Sequence, residues 1–207
     1  MIRELSEDGF GLDTLVNNAA GNFYCTAEDL SPGGFKSVVD IVLHGTFNCS
    51  SHFGRRLIER RKKGAIVNVV TTYTQTGSAF VLPSACAKAG VQAMTSTLAF
   101  EWAEYGIRVN SVAPGPIPTE GAWQRLIPGK DFEAMYRERQ PFKRFGRPEE
   151  LADATVFLLS DLASYITGEC LTVDGGERLR GAQFNFLAEL MPRDKLRALF
   201  NSMRPKR

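Results

Sequence analysis

The sequence predicts an α/β fold: a doubly wound parallel sheet with helices on both faces. Three observations predict it. Short β-branched runs recur along the chain, segments of helical period separate them, and those connections are long. Parallel strands need crossovers of about a dozen residues or more, usually helical, whereas antiparallel strands are joined by tight hairpins. The 207 residues, 43% hydrophobic and 23% charged, suffice for one substantial core, and neither an internal repeat nor a linker divides them.

In chain order, "LDTLVNN" (Leu12 to Asn18) is a short apolar run ending in polar turn residues, as a buried strand does. From Gly34 to about Lys62, Phe35, Val38, Val39 and Val42, then Phe53, Leu57 and Ile58, fall at helical spacing; basic residues and Gly64 end the segment. "AIVNVVT" is continuous and β-branched, the mark of a strand covered on both faces. Pro83 opens a helix that stops at Gly106. "IRVNSVAPG" is the third strand, followed by a loop-rich stretch with two short helical pieces up to Gln140. "RPEELADATVFLLSD" has Pro148 at its start, acids in its first turn and an apolar face, so it reads as a helix. "CLTVDGG" is a fourth strand closed by a glycine turn, and the basic tail "RDKLRALFNSMRPKR" reads as a solvated helix.

A net charge of +2 gives no reason to expect a nucleic-acid surface. Cys25, Cys49, Cys86 and Cys170 are scattered, and His44 and His52 lie eight residues apart, too far for a metal-binding pair on a helix, so no metal site is expected. No apolar run reaches the roughly 18 residues of a membrane span. Reduced thiols in a cytoplasmic setting, or in an organelle matrix if a targeting segment is missing, fit this composition.

"LVNNAAG", "GAIVNVVT", "AKAGVQAMTSTLAFEWAEYGIRVNSVAPGPI", "GRPEELADATVFLLSD" and "ITGECLTVDGG" together resemble the short-chain dehydrogenase/reductase family over most of the chain. Within that family, "NNAAGNF", "DIVLHGTF", "TTYTQTGSAFVLPSACAKAG" and "PGPIPTEGAWQRL" are similar to the 2,4-dienoyl-CoA reductases. The resemblance implies a Rossmann-like domain that reduces 2,4-dienoyl-CoA to 3-enoyl-CoA with NADPH during breakdown of unsaturated fatty acids, and it leaves NAD open. It also implies an acyl-CoA partner and a homo-oligomer, a tetramer, built largely on the Gly34 and Pro83 helices.

The same resemblance implies the site. Lys88 matches the family lysine, yet Ser84, four residues before it, stands where ketone-reducing members carry a tyrosine acid. In a ketone, the carbon taking hydride and the oxygen taking the proton are bonded neighbours. In a dienoyl thioester, hydride adds at the far end of the conjugated chain and charge collects on the thioester oxygen, so the donor must sit elsewhere. Tyr73 and Asn22 match the donors of the dienoyl reductases, with Ser84 in support and Lys88 on the nicotinamide ribose. Val42 replaces the asparagine that serves the proton relay of ketone reductases. Asn17 and Pro114, Gly115, Pro116 and Ile117 match cofactor contacts; Phe23, Ser31 and Arg125 match substrate contacts, Arg125 as a partner for a CoA phosphate. Each residue also has a plain structural reading: Ser84 as a helix start, Asn22 beside Gly21 as a turn, Tyr73 as a loop residue, Arg125 as a solvated charge.

The family's strand, Gly-rich turn and helix for the pyrophosphate are not seen in this sequence. "EDGFGLD" resembles the turn before the family's "LVNNA" rather than a phosphate loop, since a strand and not a helix follows. The expectation is a truncated form of a full reductase, an incomplete domain over residues 1–207 whose first strand becomes an exposed edge. Two alternatives stay open: a carbonyl or hydroxy-group dehydrogenase of the same family, and a catalytically silent subunit acting only in assembly.

Overall fold

β2 (Gly64–Val69) and β3 (Ile107–Pro114) are buried along most of their length because both faces of the sheet are covered, and the polar residues they carry, Asn68, Asn110 and Ser111, are buried with them. The computed structural model describes residues 11–119, 123, 127 and 129–203. β1 (Thr14–Asn17) flanks β2, and β4 (Cys170–Val173) flanks β3, in the order β1-β2-β3-β4 with every pair parallel. Thr14 pairs with Ala65, Ile66 with Val109, and Val112 with Leu171.

α1 (Pro32–Val39), a π-helical turn at Asp40–His44, and α2 (Gly45–Glu59) run as one continuous element between β1 and β2. It starts at Pro32, two residues before the predicted Gly34, because the Ser31 hydroxyl accepts the Gly34 N–H at 3.1 Å and proline suits the first helical position. α3 (Leu82–Glu101) joins β2 to β3, and the chain turns after it through Gly106, whose φ of +71° is the left-handed stop that the sequence predicts. Between β3 and Gln140, the described residues hold one complete helix, α4 (Lys130–Arg139). α5 (Pro148–Leu159) follows, and beyond β4 come α6 (Leu187–Leu190) and α7 (Arg193–Ser202). α7 is mostly solvated, as expected of the tail, but buries Leu196.

Side chains alternate across the sheet, so each strand feeds two cores. Ile66, Val109 and Ile107 face Phe53, Leu57 and Ala99, while Val70 and Ala113 join Val38, Val42, Ala87 and Val91. On the other face, Val67 and Val112 meet Leu158 and Ala163 around α5. α5 packs on β2, β3 and β4. On β1, by contrast, Val16 is 43% exposed.

Buried polar groups stitch the layers together. Asn17 on β1 donates to Asn68 Oδ1 at 2.8 Å and to Ser50 Oγ on α2 at 2.9 Å, while Asn68 on β2 donates to Thr95 Oγ1 on α3 at 2.8 Å. Arg108 caps the carboxyl end of α5, donating to the carbonyls of Leu158 at 2.6 Å and of Leu159 and Ser160 at 3.0 Å.

Candidate active site

The loops leaving the carboxyl ends of the strands meet at one end of the sheet, where open α/β folds bind ligands. Tyr73 follows β2, and Ser84 lies in the first turn of α3. Eleven residues apart, they meet across the intervening loop, Tyr73 Oη and Ser84 Oγ standing 3.2 Å apart. Ser84 is buried at 4% exposure, so its hydroxyl is a fixed partner rather than a solvated one.

One turn further along α3, Lys88 is 5% exposed and donates to the Val69 carbonyl at the end of β2. Burial pushes its ammonium down from 10.5 to about 8. No carboxylate among the described residues pairs with it. A buried ammonium has three donors, and one carbonyl satisfies only one. The two remaining donors fit the hydroxyls of a nicotinamide ribose, so the residues present suit that cofactor at this end of the site.

The shifted lysine has a measurable consequence. Its folded value lies below its unfolded one, so between about pH 8 and 10.5 the unfolded chain holds more protons and stability rises with pH. Below pH 8 the penalty for burying the charge is constant. In denaturant unfolding, the wild-type protein is expected to gain up to about 3 kcal/mol relative to Lys88→Met across that window. Parallel pH profiles for the two proteins would show that Lys88 titrates normally.

Asn22 lies on the loop after β1. Its Oδ1 accepts the Phe23 N–H at 3.0 Å, which occupies the amide's acceptor side and leaves its NH2 free to donate. Phe23 and Ser31 both border Gly34: a Cβ at Gly34 would meet the Phe23 ring and the Ser31 hydroxyl at 3.3 Å. The Ser31 hydroxyl is already the cap of α1, so one of its lone pairs is taken, and its proton and second lone pair remain for a ligand.

The segment from Pro114 to Ile117 is pinned at two points. Gly115 N–H donates to the Val173 carbonyl at 3.0 Å, and the Pro116 carbonyl accepts the Gly146 N–H at 3.0 Å. Gly115 is required here, because a Cβ would stand 2.8 Å from the Asp174 backbone. This segment also walls a cavity of about 810 Å³ that extends away under Leu179, Arg180 and Asn185. Tyr73, Ser84 and Lys88 do not line that cavity.

The Asn17 side chain is committed to the buried network, so any contact it makes with a cofactor falls to its backbone. Val42 is fully buried among Val38, Val70 and Val91 and offers no polar side chain for a relay to Lys88. Arg125 lies outside the described residues. Sequence reasoning passed over Thr71, whose Oγ1 is buried beside the site without a partner, and Phe80, whose backbone conformation nothing in its neighbours signals.

A parallel sheet with a buried lysine that no carboxylate among the described residues pairs, and with hydroxyl groups beside it at the carboxyl ends of the strands, suits a nicotinamide-dependent oxidoreductase. A family model described as enoyl-(acyl carrier protein) reductase matches residues 1–177, and the chain belongs to the short-chain dehydrogenase/reductase family. A Bacillus subtilis protein named as a 2,4-dienoyl-CoA reductase, (2E)-enoyl-CoA-producing, is 48% identical over 89% of this chain and 73% of its own length. Caenorhabditis elegans 2,4-dienoyl-CoA reductase 3, named as (3E)-enoyl-CoA-producing, is 44% identical over 80% of this chain and 54% of its own length. This chain thus spans about half the length of the worm relative. A short chain dehydrogenase from Bacillus anthracis superposes with a TM-score of 0.79 at 47% identity, covering 87% of this chain and 70% of that one. A gluconate 5-dehydrogenase from Burkholderia cenocepacia, in complex with NADP and tartrate, also scores 0.79 at 30% identity, covering 85% and 68%.

Proposed function

We propose that this chain carries the substrate end of a reductase that converts 2,4-dienoyl-CoA to 3-enoyl-CoA with NADPH, in the breakdown of unsaturated fatty acids. The contact between Tyr73 and Ser84 carries the reading: the helix position of a ketone reductase's acid holds a buried serine, and a tyrosine reaches it from the preceding loop. The relatives named as dienoyl-CoA reductases support it.

NADPH, when bound, supplies hydride to the far end of the diene. Lys88 would hold the nicotinamide ribose, and the Pro114–Ile117 segment would border the ring. Negative charge then collects on the thioester oxygen, where the Tyr73 hydroxyl and the Asn22 amide donate. Ser84 accepts from or donates to Tyr73 and fixes its rotamer. Phe23, Ser31 and Arg125 contact the rest of the substrate, Arg125 at a CoA phosphate.

The product depends on which carbon of the resulting dienolate takes a proton: the α-carbon gives 3-enoyl-CoA and the γ-carbon gives 2-enoyl-CoA. Tyr73, at the oxygen, stands two bonds from the α-carbon and four from the γ-carbon, which favours the 3-enoyl product. The names of the two relatives divide on this point. The test is turnover of a 2,4-dienoyl-CoA in deuterium oxide, using a cofactor-competent form supplied with an amino-terminal strand, Gly-rich turn and helix. One deuterium at the α-carbon of a 3-enoyl product is expected. Deuterium at the γ-carbon of a 2-enoyl product overturns the regiochemistry. Ketone reduction without dienoyl turnover overturns the whole reading in favour of a carbonyl dehydrogenase, to which the gluconate dehydrogenase likeness points.

Two separate apolar patches support a homo-oligomer, a tetramer. Ile41, Phe47 and Phe100 are exposed on the helices covering one face of the sheet, and Val156, Leu162 and Tyr165 around α5 on the other. Two independent two-fold interfaces close a tetramer. No helix among the described residues is long and apolar enough to cross a membrane, in keeping with a place in the cytoplasm or an organelle matrix.

A further inference from the structure

Phe80 occupies a backbone conformation that aromatic residues avoid. Its φ is +66°, in the left-handed region where Cβ crowds the backbone. The other non-glycine residues there among the described residues, Arg61 and Lys143, are polar. Glycine at position 80 would relieve the strain, and the ring gains little from the core in return, since Phe80 is 59% exposed while the next residue, Val81, is buried. A strained residue whose side chain the fold does not use points to a ligand that does.

Its position says which ligand. Phe80 lies in the loop closed by the Tyr73–Ser84 contact, and its carbonyl accepts the Cys25 N–H at 2.9 Å. That bond fastens the loop of Tyr73 to the loop of Asn22 and Phe23. Phe80 therefore sits where the two segments bearing the thioester-oxygen donors are joined. An acyl chain begins one bond from that oxygen, and at this junction Phe23 also presents partly exposed ring surface.

We propose that Phe80 forms a wall of the acyl-chain site and determines which chain lengths bind; this rests on the acyl-CoA reading above. The experiment is calorimetric binding of butyryl-, octanoyl- and dodecanoyl-CoA to the 207-residue chain, wild type against Phe80→Gly and Phe80→Leu, with melting and sedimentation of each. Phe80→Gly is expected to melt no lower than wild type and to bind butyryl-CoA within about twofold. It should lose about tenfold in affinity for dodecanoyl-CoA, the surface of one or two methylenes, with Phe80→Leu in between. An unchanged chain-length dependence in Phe80→Gly overturns the proposal while leaving the acyl-CoA reading intact. An equal loss for all three thioesters also overturns it, as does dissociation of an oligomer with unaltered binding, which would assign the ring to a contact between copies. If the wild-type chain binds none of the three, the acyl-CoA reading itself fails and the role of Phe80 fails with it.

Discussion

Replacing Tyr73 by phenylalanine in a cofactor-competent form of the protein is expected to lower kcat on a 2,4-dienoyl-CoA by about two to three orders of magnitude, the loss typical of one oxyanion donor. KM should change far less, because charge on the thioester oxygen develops in the transition state and is small in the bound substrate. Phenylalanine keeps the ring and removes only the hydroxyl, so the half-buried packing of the loop is preserved. Ser84→Ala is expected to cost less. Its hydroxyl meets Tyr73 at 3.2 Å and in the proposed role only orients it, whereas in an enzyme whose acid sat on α3 the residue at position 84 would be indispensable. Steady-state kinetics on the two variants decides. A near wild-type kcat for Tyr73→Phe, or a larger loss for Ser84→Ala, would put the donor somewhere other than Tyr73.

What the sequence made legible depends on how local each cause is. β2 and β3 are readable because a strand covered on both faces is rich in β-branched apolar residues, and α3 because Pro83 and Gly106 bracket its stripe of Ala87, Val91 and Ala99. The π-helical turn at Asp40–His44 is not readable, because it inserts a register shift within an unbroken amphipathic pattern. The helix starts two residues before Gly34 because Ser31, which matches a substrate contact in the sequence, caps the Gly34 N–H. Among the site residues, Tyr73 and Ser84 were named from motif order alone, and their contact depends on a loop that carries no periodic signal. Asn17 shows the converse. Its motif marks it for a cofactor, while its side chain joins β1 to β2 and α2, a role that becomes visible only when residues 33 and 51 positions away are brought beside it.

That network carries the largest expected effect on stability. Asn68 is fully buried; its Oδ1 accepts from Asn17 and its Nδ2 donates to Thr95, so one amide links β1, β2 and α3. Asn68→Leu is close in volume and leaves little cavity, which separates the polar cost from a packing cost. Asn17 would retain its bond to Ser50 but lose its second acceptor, and Thr95, whose own proton goes to the Val91 carbonyl, would lose its donor. Unsatisfied buried groups each cost about 1–3 kcal/mol, offset in part by the greater apolarity of leucine, so a net loss of about 3 kcal/mol is expected. For a chain of this size that corresponds to a melting temperature lower by roughly 6–12 °C. The double variant Asn68→Leu/Thr95→Val should recover part of the loss, because it removes one orphaned group together with its former partner. Calorimetry of the wild type and both variants measures it: a single variant as stable as wild type would mean that the amide bridge contributes nothing to holding β1 on the sheet, and a double variant no better than the single would place the cost in the shape of the leucine and not in the lost hydrogen bonds.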